Sequence, residues 1–196
     1  MIAEAGPANR LRRRAPLLLL VALVAGVAAF QYLGRSAAEH GPLRFVVQVE
    51  PRPVPPLRFL DGEGKATDLG AWRGKVVLLN IWATWCGPCV KEMPALDRLQ
   101  TSLAGEGLHV VALSIDKGAA ALAAVQAFYA SHGIRNLGVY NDPEGAAGFE
   151  LGVPGVPVTF LIDREGREIG RLVGAAEWDG AEAVALIRRH LATAVP

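Results

Sequence analysis

The spacing of apolar residues changes several times along this chain, and each change predicts a new element of secondary structure. Nearly continuous runs of β-branched and apolar residues predict two strands that are covered on both faces, at 75–82 and 108–115. Apolar residues at three- and four-residue spacing predict three longer helices, at 86–103, 119–132 and 178–192. Pro94 lies within the first of these helices and predicts a kink there.

Shorter patterns complete the expected fold. Turn residues between alternating segments predict two hairpins, one over residues 57–72 and one over residues 158–173. A short strand is expected at 137–140 and a short helix at 143–150. This order of elements predicts an α/β domain with a mixed central sheet that is parallel in its first half and has helices on both faces.

The N-terminal part of the chain has a different composition. An uncharged apolar run covers residues 15–33, long enough for a bilayer core, and it follows four arginines: Arg10, Arg12, Arg13 and Arg14. By the positive-inside rule, residues 1–14 stay cytoplasmic and the rest lies across the membrane, which in a bacterium is the oxidising periplasm. A cleaved signal peptide is the alternative to an anchor, because Val27-Ala28-Ala29 offers small residues before a cleavage site.

Residues 34–56 join the apolar run to the folded domain, which we expect to span residues 57–196. The segment begins with small and polar residues, and it ends with prolines that disfavour a helix: Pro51, Pro53, Pro55 and Pro56. This composition predicts an extended, semi-rigid periplasmic spacer. Within it, only residues 45–49 have the apolar character of a short strand.

Composition argues against several classes of function. The chain has 20 basic and 19 acidic side chains, so its charge gives no reason to expect a nucleic-acid partner. The four histidines are scattered and there are two methionines, which argues against a copper-binding chaperone. We expect no metal and no other cofactor.

The two cysteines of the chain carry the candidate chemistry. Cys86 and Cys89 follow a predicted buried strand and open a predicted helix, an arrangement suited to making and breaking a disulfide. Because a helix N-terminus favours a thiolate, Cys86 is the expected attacking thiol and Cys89 the buried resolving thiol. Pro88 fits the first helical turn, where no N–H is required. A zinc site would need a second ligand pair, and a purely structural disulfide with so short a loop would stabilise the fold weakly.

These features resemble the thioredoxin superfamily, and within it the membrane-anchored periplasmic proteins of the TlpA/ResA-like branch. The resemblance rests on Leu-Asn-Ile-Trp-Ala-Thr-Trp-Cys-Gly-Pro-Cys at 79–89, Lys-Glu-Met-Pro at 91–94 and Gly-Val-Pro-Val-Thr-Phe-Leu-Ile-Asp at 155–163. It covers residues 55–193 approximately, and it implies a thioredoxin-like fold with an N-terminal β-hairpin extension. Segment 174–178 (Gly-Ala-Ala-Glu-Trp) is similar to the corresponding segment of TlpA itself.

The resemblance also implies how the cysteine pair meets a client protein. Pro157 is expected to follow a cis peptide bond, so that the backbone of Val156 faces the cysteines and accepts an extended client segment. The alternatives are a cis bond at Pro154 instead, or an ordinary trans proline that starts an edge strand. Trp85 is expected to shield Cys86 and to offer an apolar contact beside it.

A third implication concerns protons. ResA-like proteins place an acid at the position of Glu92, three residues after Cys89, and this acid is expected to exchange protons with the buried thiol. The alternative is an exposed helix glutamate beside Lys91 or Arg98. Asn80 occupies the strand position where thioredoxin carries a proton-shuttling aspartate, so that proton route is absent here.

The function implied by the resemblance is that of a thiol–disulfide oxidoreductase anchored in the inner membrane. The Gly-Pro pair between the cysteines matches reducing thioredoxins, which predicts a reductant that a membrane donor of the DsbD or CcdA type re-reduces. TlpA-like proteins imply clients among the copper-site assembly factors and the copper-binding subunit of cytochrome oxidase, and segment 174–178 favours this client. ResA-like proteins imply apocytochrome c before haem attachment.

Overall fold

The computed structural model describes residues 43–192, so the predicted cytoplasmic segment 1–14 and anchor 15–33 lie outside the described residues. Within them, no helix is long and apolar enough to cross a membrane. The strands are β1 (Val46–Pro53), β2 (Arg58–Asp61), β3 (Ala66–Asp68), β4 (Val76–Trp82), β5 (Leu108–Ser114), β6 (Tyr140–Asn141), β7 (Val158–Ile162) and β8 (Arg167–Val173). The α-helices are α1 (Gly87–Leu103), α2 (Ala121–His132), α3 (Ala146–Glu150) and α4 (Ala181–Ala192).

All eight strands form one mixed sheet in the order β1-β8-β7-β4-β5-β6-β2-β3. The neighbours β4, β5 and β6 run parallel, and every other pair is antiparallel. The predicted mixed sheet and both predicted hairpins, β2–β3 and β7–β8, are therefore confirmed. The first hairpin is shorter than predicted, because the carboxylate of Asp68 accepts the N–H of Gly70 at 2.7 Å and starts a 3-10 helix at Leu69–Trp72.

The central strand β4 is buried at all seven positions, as its apolar sequence predicted. Because side chains alternate along a strand, β4 contributes to two separate cores. One core contains residues of α1, α2 and α4, and the other is closed by α3 together with the segment before β2 and the 3-10 helix. Helices thus lie on both faces, as predicted, although three of the four cover the same face.

The N-terminal strand β1 differs from the predicted spacer. The sequence predicted an extended segment up to residue 56 with a short strand at 45–49, but Val46–Pro53 pairs with β8 at the edge of the sheet. Gly170 of β8 permits this close pairing, since a Cβ at that position would overlap the carbonyl oxygen of Val46. Prolines are tolerated here because an edge strand leaves one side of its backbone unpaired. Residues 46–53 therefore belong to the sheet, and the domain boundaries of the sequence analysis remain predictions.

Two further boundaries differ for identifiable reasons. The short strand expected at 137–140 begins only at Tyr140, because the N–H of Leu137 donates to the carboxylate of Asp97 and does not join the sheet. The last helix begins at Ala181, and Trp178, predicted to open it, is buried in the preceding loop. Helix α1 continues through Pro94 to Leu103, as its apolar spacing predicted.

His109 of β5 is a titratable side chain packed within this fold. Its ring stacks on Trp72 with the centroids 4.8 Å apart, and its Nε2 has no hydrogen-bond partner among the described residues. Burial of the ring, and secondarily the charge of Lys75, lower the pKa of His109 to about 4. The pKa of a histidine in the unfolded chain is about 6.5, so above that pH the neutral ring makes its full contribution to the free energy of unfolding. This contribution is lost as the pH falls towards 4.

We predict that His109→Phe makes the free energy of unfolding less dependent on pH. Phenylalanine keeps a ring against Trp72 but binds no proton, so the variant should lose about 2 kcal/mol less than the wild type between about pH 7 and about pH 4.5, allowing for partial exposure of the ring. Urea unfolding of the two full chains at both pH values measures the difference. Equal losses in the two proteins would contradict the role assigned to His109.

Candidate active site

The two cysteines lie where β4 ends and α1 begins, and they form a disulfide with their Cα atoms 5.2 Å apart. Cys86 is the N-cap of α1, and its Sγ accepts the N–H of Cys89 at 3.3 Å. An N–H group in this position at a helix N-terminus favours a thiolate on Cys86 once the disulfide is reduced. Pro88 occupies the first turn of α1, where its missing N–H leaves no hydrogen bond unmade.

The two cysteines differ in their exposure to solvent. Cys86 is 7% exposed, whereas Cys89 is fully buried. Trp85, which precedes Cys86, is 69% exposed and places an indole on the surface beside the accessible cysteine. A protein client can therefore approach Cys86 next to an apolar contact, while Cys89 is reached only from Cys86. Trp82 is fully buried in the core, as predicted.

The loop before β7 reaches the cysteine pair at Val156. The carbonyl oxygen of Val156 lies 3.6 Å from Cys86 Sγ, and the Val156–Pro157 peptide bond is cis. It is the single cis bond between residues 43 and 192, so the alternative at Pro154 is wrong. The structure thus brings Cys86, Val156 and Pro157 together, as the resemblance implied.

Glu92 lies one turn beyond Cys89 on α1, and its side chain is buried. Its Oε1 accepts a hydrogen bond from Asn80 Nδ2 at 2.9 Å. Its Oε2 accepts the N–H of Ala176 at 3.1 Å and the indole N–H of Trp178 at 3.0 Å. A carboxyl group can be buried only where its oxygens are hydrogen-bonded, and three donors meet that requirement here.

Asn80 links this carboxyl group to the neighbouring strand β7. Besides donating to Glu92, its Nδ2 donates to Thr159 Oγ1 at 2.9 Å, and both residues are buried. Burial of Glu92 makes the exposed-glutamate alternative wrong, and Arg98 pairs instead with Asp179 at 2.6 Å. The proton-exchange role of Glu92 remains a prediction.

Two supporting groups were not predicted from the sequence. Trp178 was expected in a helix, but it lies in a loop and donates to Glu92. Thr84, two residues before Cys86, is held by the carboxylate of Asp116, which follows β5. A signal for the second group was present, because an acid directly after a buried strand lies at the same sheet edge as the end of the parallel strand β4.

Other parts of the described chain do not extend this site. Among residues 43–192, no group of three or more His, Cys, Asp or Glu side chains is placed to hold a metal ion. A cavity of about 310 Å³ is lined by Val77 and Ile162, at the opposite end of β4 from the cysteines. That cavity is therefore separate from the cysteine pair.

The chain is similar to known thiol–disulfide oxidoreductases in sequence and in fold. The Redoxin family model matches residues 50–187. The thiol-disulfide oxidoreductase ResA of Bacillus anthracis is 29% identical over 168 residues, which cover 85% of this chain and 89% of that protein. The thiol:disulfide interchange protein DsbE of Yersinia pestis is 37% identical over 154 residues, 77% of each chain. The crystal structure of a thioredoxin-family thiol:disulfide interchange protein from Chlorobium tepidum has a TM-score of 0.58 at 25% identity, covering 74% of this chain and 99% of that one.

We predict that Trp178→Phe lowers the free energy of unfolding of the oxidised full chain more than Trp82→Phe does. Both variants replace a fully buried indole by a smaller ring and lose similar packing contacts. Trp178→Phe also leaves Glu92 Oε2 without one donor, which costs about 1–3 kcal/mol. Trp82 is a matched control, because its Nε1 has no partner among the described residues. Equal losses in urea unfolding would show that the indole N–H of Trp178 does not support Glu92.

Proposed function

This chain belongs to the Redoxin family and is a thiol–disulfide oxidoreductase of the ResA-like group, and we propose that it acts as a reductant of cysteines in client proteins. The observation that carries this proposal is the Cys86–Cys89 disulfide at the N-terminus of α1, with one accessible and one buried partner. An accessible cysteine can form a mixed disulfide with a client, and a buried cysteine beside it can release that client.

In the first step, the thiolate of reduced Cys86 attacks one sulfur of a client disulfide. A mixed disulfide forms and the second client sulfur leaves as a thiolate. The N–H of Cys89, which donates to Cys86 Sγ in the oxidised form, favours the attacking thiolate. Trp85 supplies an apolar contact for the client, and the carbonyl oxygen of Val156 accepts an N–H from an extended client segment.

In the second step, Cys89 resolves the mixed disulfide. Its thiol loses a proton, and the resulting thiolate attacks Cys86 Sγ, so that the internal disulfide forms and the client departs. Two electrons have then passed from the cysteine pair to the client, whose disulfide has become two thiols. Glu92 is the proposed acceptor of the Cys89 proton, because it is a buried acid one turn beyond Cys89, and the strand residue Asn80 cannot take that role.

The reducing direction is supported by the residues between the cysteines. Gly87 and Pro88 match the pair found in thioredoxin, whose reduction potential is about −270 mV, and strong oxidants lie near about −120 mV. A reductant in an oxidising compartment needs a continuous supply of electrons. We propose a membrane thiol donor of the DsbD or CcdA type as that supply.

The proposed location is the inner membrane, with the catalytic domain in the periplasm. Its support is the uncharged apolar run at 15–33 and the arginine cluster before it. A cleaved signal peptide would deliver the domain to the same compartment, so the proposed chemistry does not depend on the choice between the two.

Apocytochrome c is the client that we propose first. The relatives include proteins named ResA, and a ResA-like protein implies the reduction of apocytochrome c before haem attachment. The second candidate is the set of copper-site cysteines in oxidase assembly factors and the copper-binding oxidase subunit. Segment 174–178 favours this second client because it is similar to the corresponding segment of TlpA.

We predict that Cys86→Ser abolishes the reduction of insulin and of glutathione disulfide by the full chain, because a serine oxygen cannot form the mixed disulfide. The rate is measured with dithiothreitol as electron source, and the urea midpoint of the reduced variant serves as the control for folding. Activity that persists in a folded Cys86→Ser protein would contradict the assignment of Cys86 as the attacking residue.

We predict that Cys89→Ser captures the client, because Cys86 still attacks but the mixed disulfide is no longer resolved. Complexes formed in the native host are separated on non-reducing gels and identified by mass spectrometry. The double variant Cys86→Ser/Cys89→Ser is the control and should form none. Apocytochrome c is the expected partner. Recovery of copper-site proteins without c-type cytochromes would reverse the proposed order of clients.

A further inference from the structure

The segment that leads to Cys86 is held by the chain directly after β5. The N–H of Ile115 donates to the carbonyl oxygen of Trp82 at 2.9 Å. The next residue, Asp116, binds Thr84 twice: its Oδ2 accepts the Thr84 N–H at 2.9 Å and its Oδ1 accepts the Thr84 hydroxyl at 2.7 Å. Both oxygens of one carboxylate therefore hold a residue two positions before the attacking cysteine.

Asp116 is itself fixed by neighbours on two strands. It is buried, its Oδ2 also accepts the hydroxyl of Ser114 at 2.7 Å, and its N–H donates back to Ser114 Oγ at 3.0 Å. Asn141 of β6 donates its Nδ2 to the carbonyl oxygens of Ser114 and Asp116, at 3.1 and 3.0 Å. Because these bonds do not involve the cysteines, the carboxylate is positioned independently of them.

Thr84, the residue that Asp116 binds, lies in the turn that positions Cys86. The N–H of Cys86 donates to the carbonyl oxygen of Ala83 at 3.1 Å, so Thr84 and Trp85 form the turn between them. Cys86 Sγ in turn lies 3.3 Å from the N of Cys89 and 3.6 Å from the carbonyl oxygen of Val156. A shift of this turn would change the position of the sulfur relative to both groups.

We propose that Asp116 is a positioning residue for disulfide exchange: through its hydrogen bonds to Thr84 it holds the Cys86 turn, so that the reduced sulfur stays at the N-terminal N–H groups of α1. The inference rests on the exchange reaction assigned to Cys86 and adds to it a residue that does not contact the sulfur. Two other roles for Asp116 give different results in the test below. One is stabilisation of the fold alone, and the other is a direct effect of its negative charge on the thiolate.

Three substitutions separate these roles. Asp116→Ala removes the hydrogen bonds to Thr84 together with the charge. Asp116→Asn removes the charge but keeps an acceptor for the Thr84 N–H, and its amide can donate to the Thr84 hydroxyl, which rotates to accept. Thr84→Val keeps the charge and the side-chain shape but loses the hydroxyl bond.

Asp97→Ala is a matched control for the loss of a buried carboxylate. Asp97 also lies in the core and accepts backbone N–H groups, those of residues 135, 136 and 137. It is about 12 Å along α1 from Cys89, by the rise of an α-helix, and binds a loop that does not contribute to the cysteine site. Its loss should lower stability without changing the chemistry of Cys86.

The measurement is the pH dependence of iodoacetamide alkylation of the reduced full chain, which reports the thiolate of the accessible Cys86. In Asp116→Ala the pH midpoint should rise by about half a unit or more, since the thiolate loses part of its N–H stabilisation. The kcat/KM for glutathione disulfide should fall about tenfold. Thr84→Val should change both quantities in the same direction but less, Asp116→Asn should remain close to the wild type, and Asp97→Ala should keep the wild-type midpoint.

An unchanged midpoint and kcat/KM in folded Asp116→Ala would overturn the proposal and leave Asp116 a purely structural role. A lowered midpoint in both Asp116 variants would overturn it in favour of the charge effect, since loss of a nearby negative charge favours a thiolate. An Asp116→Asn protein as impaired as Asp116→Ala would also overturn it, because asparagine keeps the hydrogen bonds to Thr84 that the proposal invokes. If Asp116→Ala does not fold, Thr84→Val decides by the same criteria. Alkylation requires no client, so a failure of this inference is distinguishable from a failure of the proposed function, which Cys86→Ser tests.

Discussion

The hydrogen bond from the N–H of Cys89 to Cys86 Sγ, at 3.3 Å, is the contact on which the chemistry of the molecule depends. It exists only if the end of β4, the following turn and the start of α1 are held in one arrangement. The fold meets this condition with adjacent strands: β4 is buried along its whole length, the residues after β5 bind Trp82 and Thr84, and the loop before β7 brings Val156 to the sulfur. The reactive sulfur thus lies on a rigid framework, which limits the loss of rate that misplacement would cause.

The buried polar groups beside the cysteines follow a single physical rule. Burying a carboxyl group costs free energy unless its oxygens find donors, and each buried acid near this site has several. The donors to Glu92 come from β4 and from the loop after β8, while those to Asp116 come from β5 and from the turn before Cys86. These hydrogen bonds join elements that are distant in sequence, so the acids fix the relative positions of strands, loops and the N-terminus of α1.

The sequence was sufficient to predict the elements that local patterns determine. It was insufficient to predict features that depend on contacts with residues distant in the chain. The strand β4 and the helix after the cysteines were predicted because continuous apolar residues and three- and four-residue spacing are local signals. Glu92 was left with an exposed alternative, because a glutamate on a helix has no local feature that reveals donors 84 and 86 residues away. The prolines of β1 indicated a spacer, but tolerance of proline depends on being an edge strand, a property of the assembled sheet. Trp178 fitted a helical spacing, and its buried N–H needed a partner that the spacing could not show.

The strand β4 carries an amide, Asn80, and the carboxyl group near the resolving cysteine comes from Glu92 on α1. Asn80 does not exchange protons, but its amide donates hydrogen bonds to Glu92 and to Thr159. The strand residue therefore orients the carboxyl group of Glu92. The carboxyl group consequently belongs to α1, three residues after Cys89. A thiol and an acid on the same helix keep their spacing when the helix moves as a unit, whereas the contacts of Cys86 with Val156 and, through Thr84, with Asp116 cross between elements. In the proposed mechanism, proton transfer in the second step therefore depends on α1 itself, and the first step depends on how α1 is held against its neighbours.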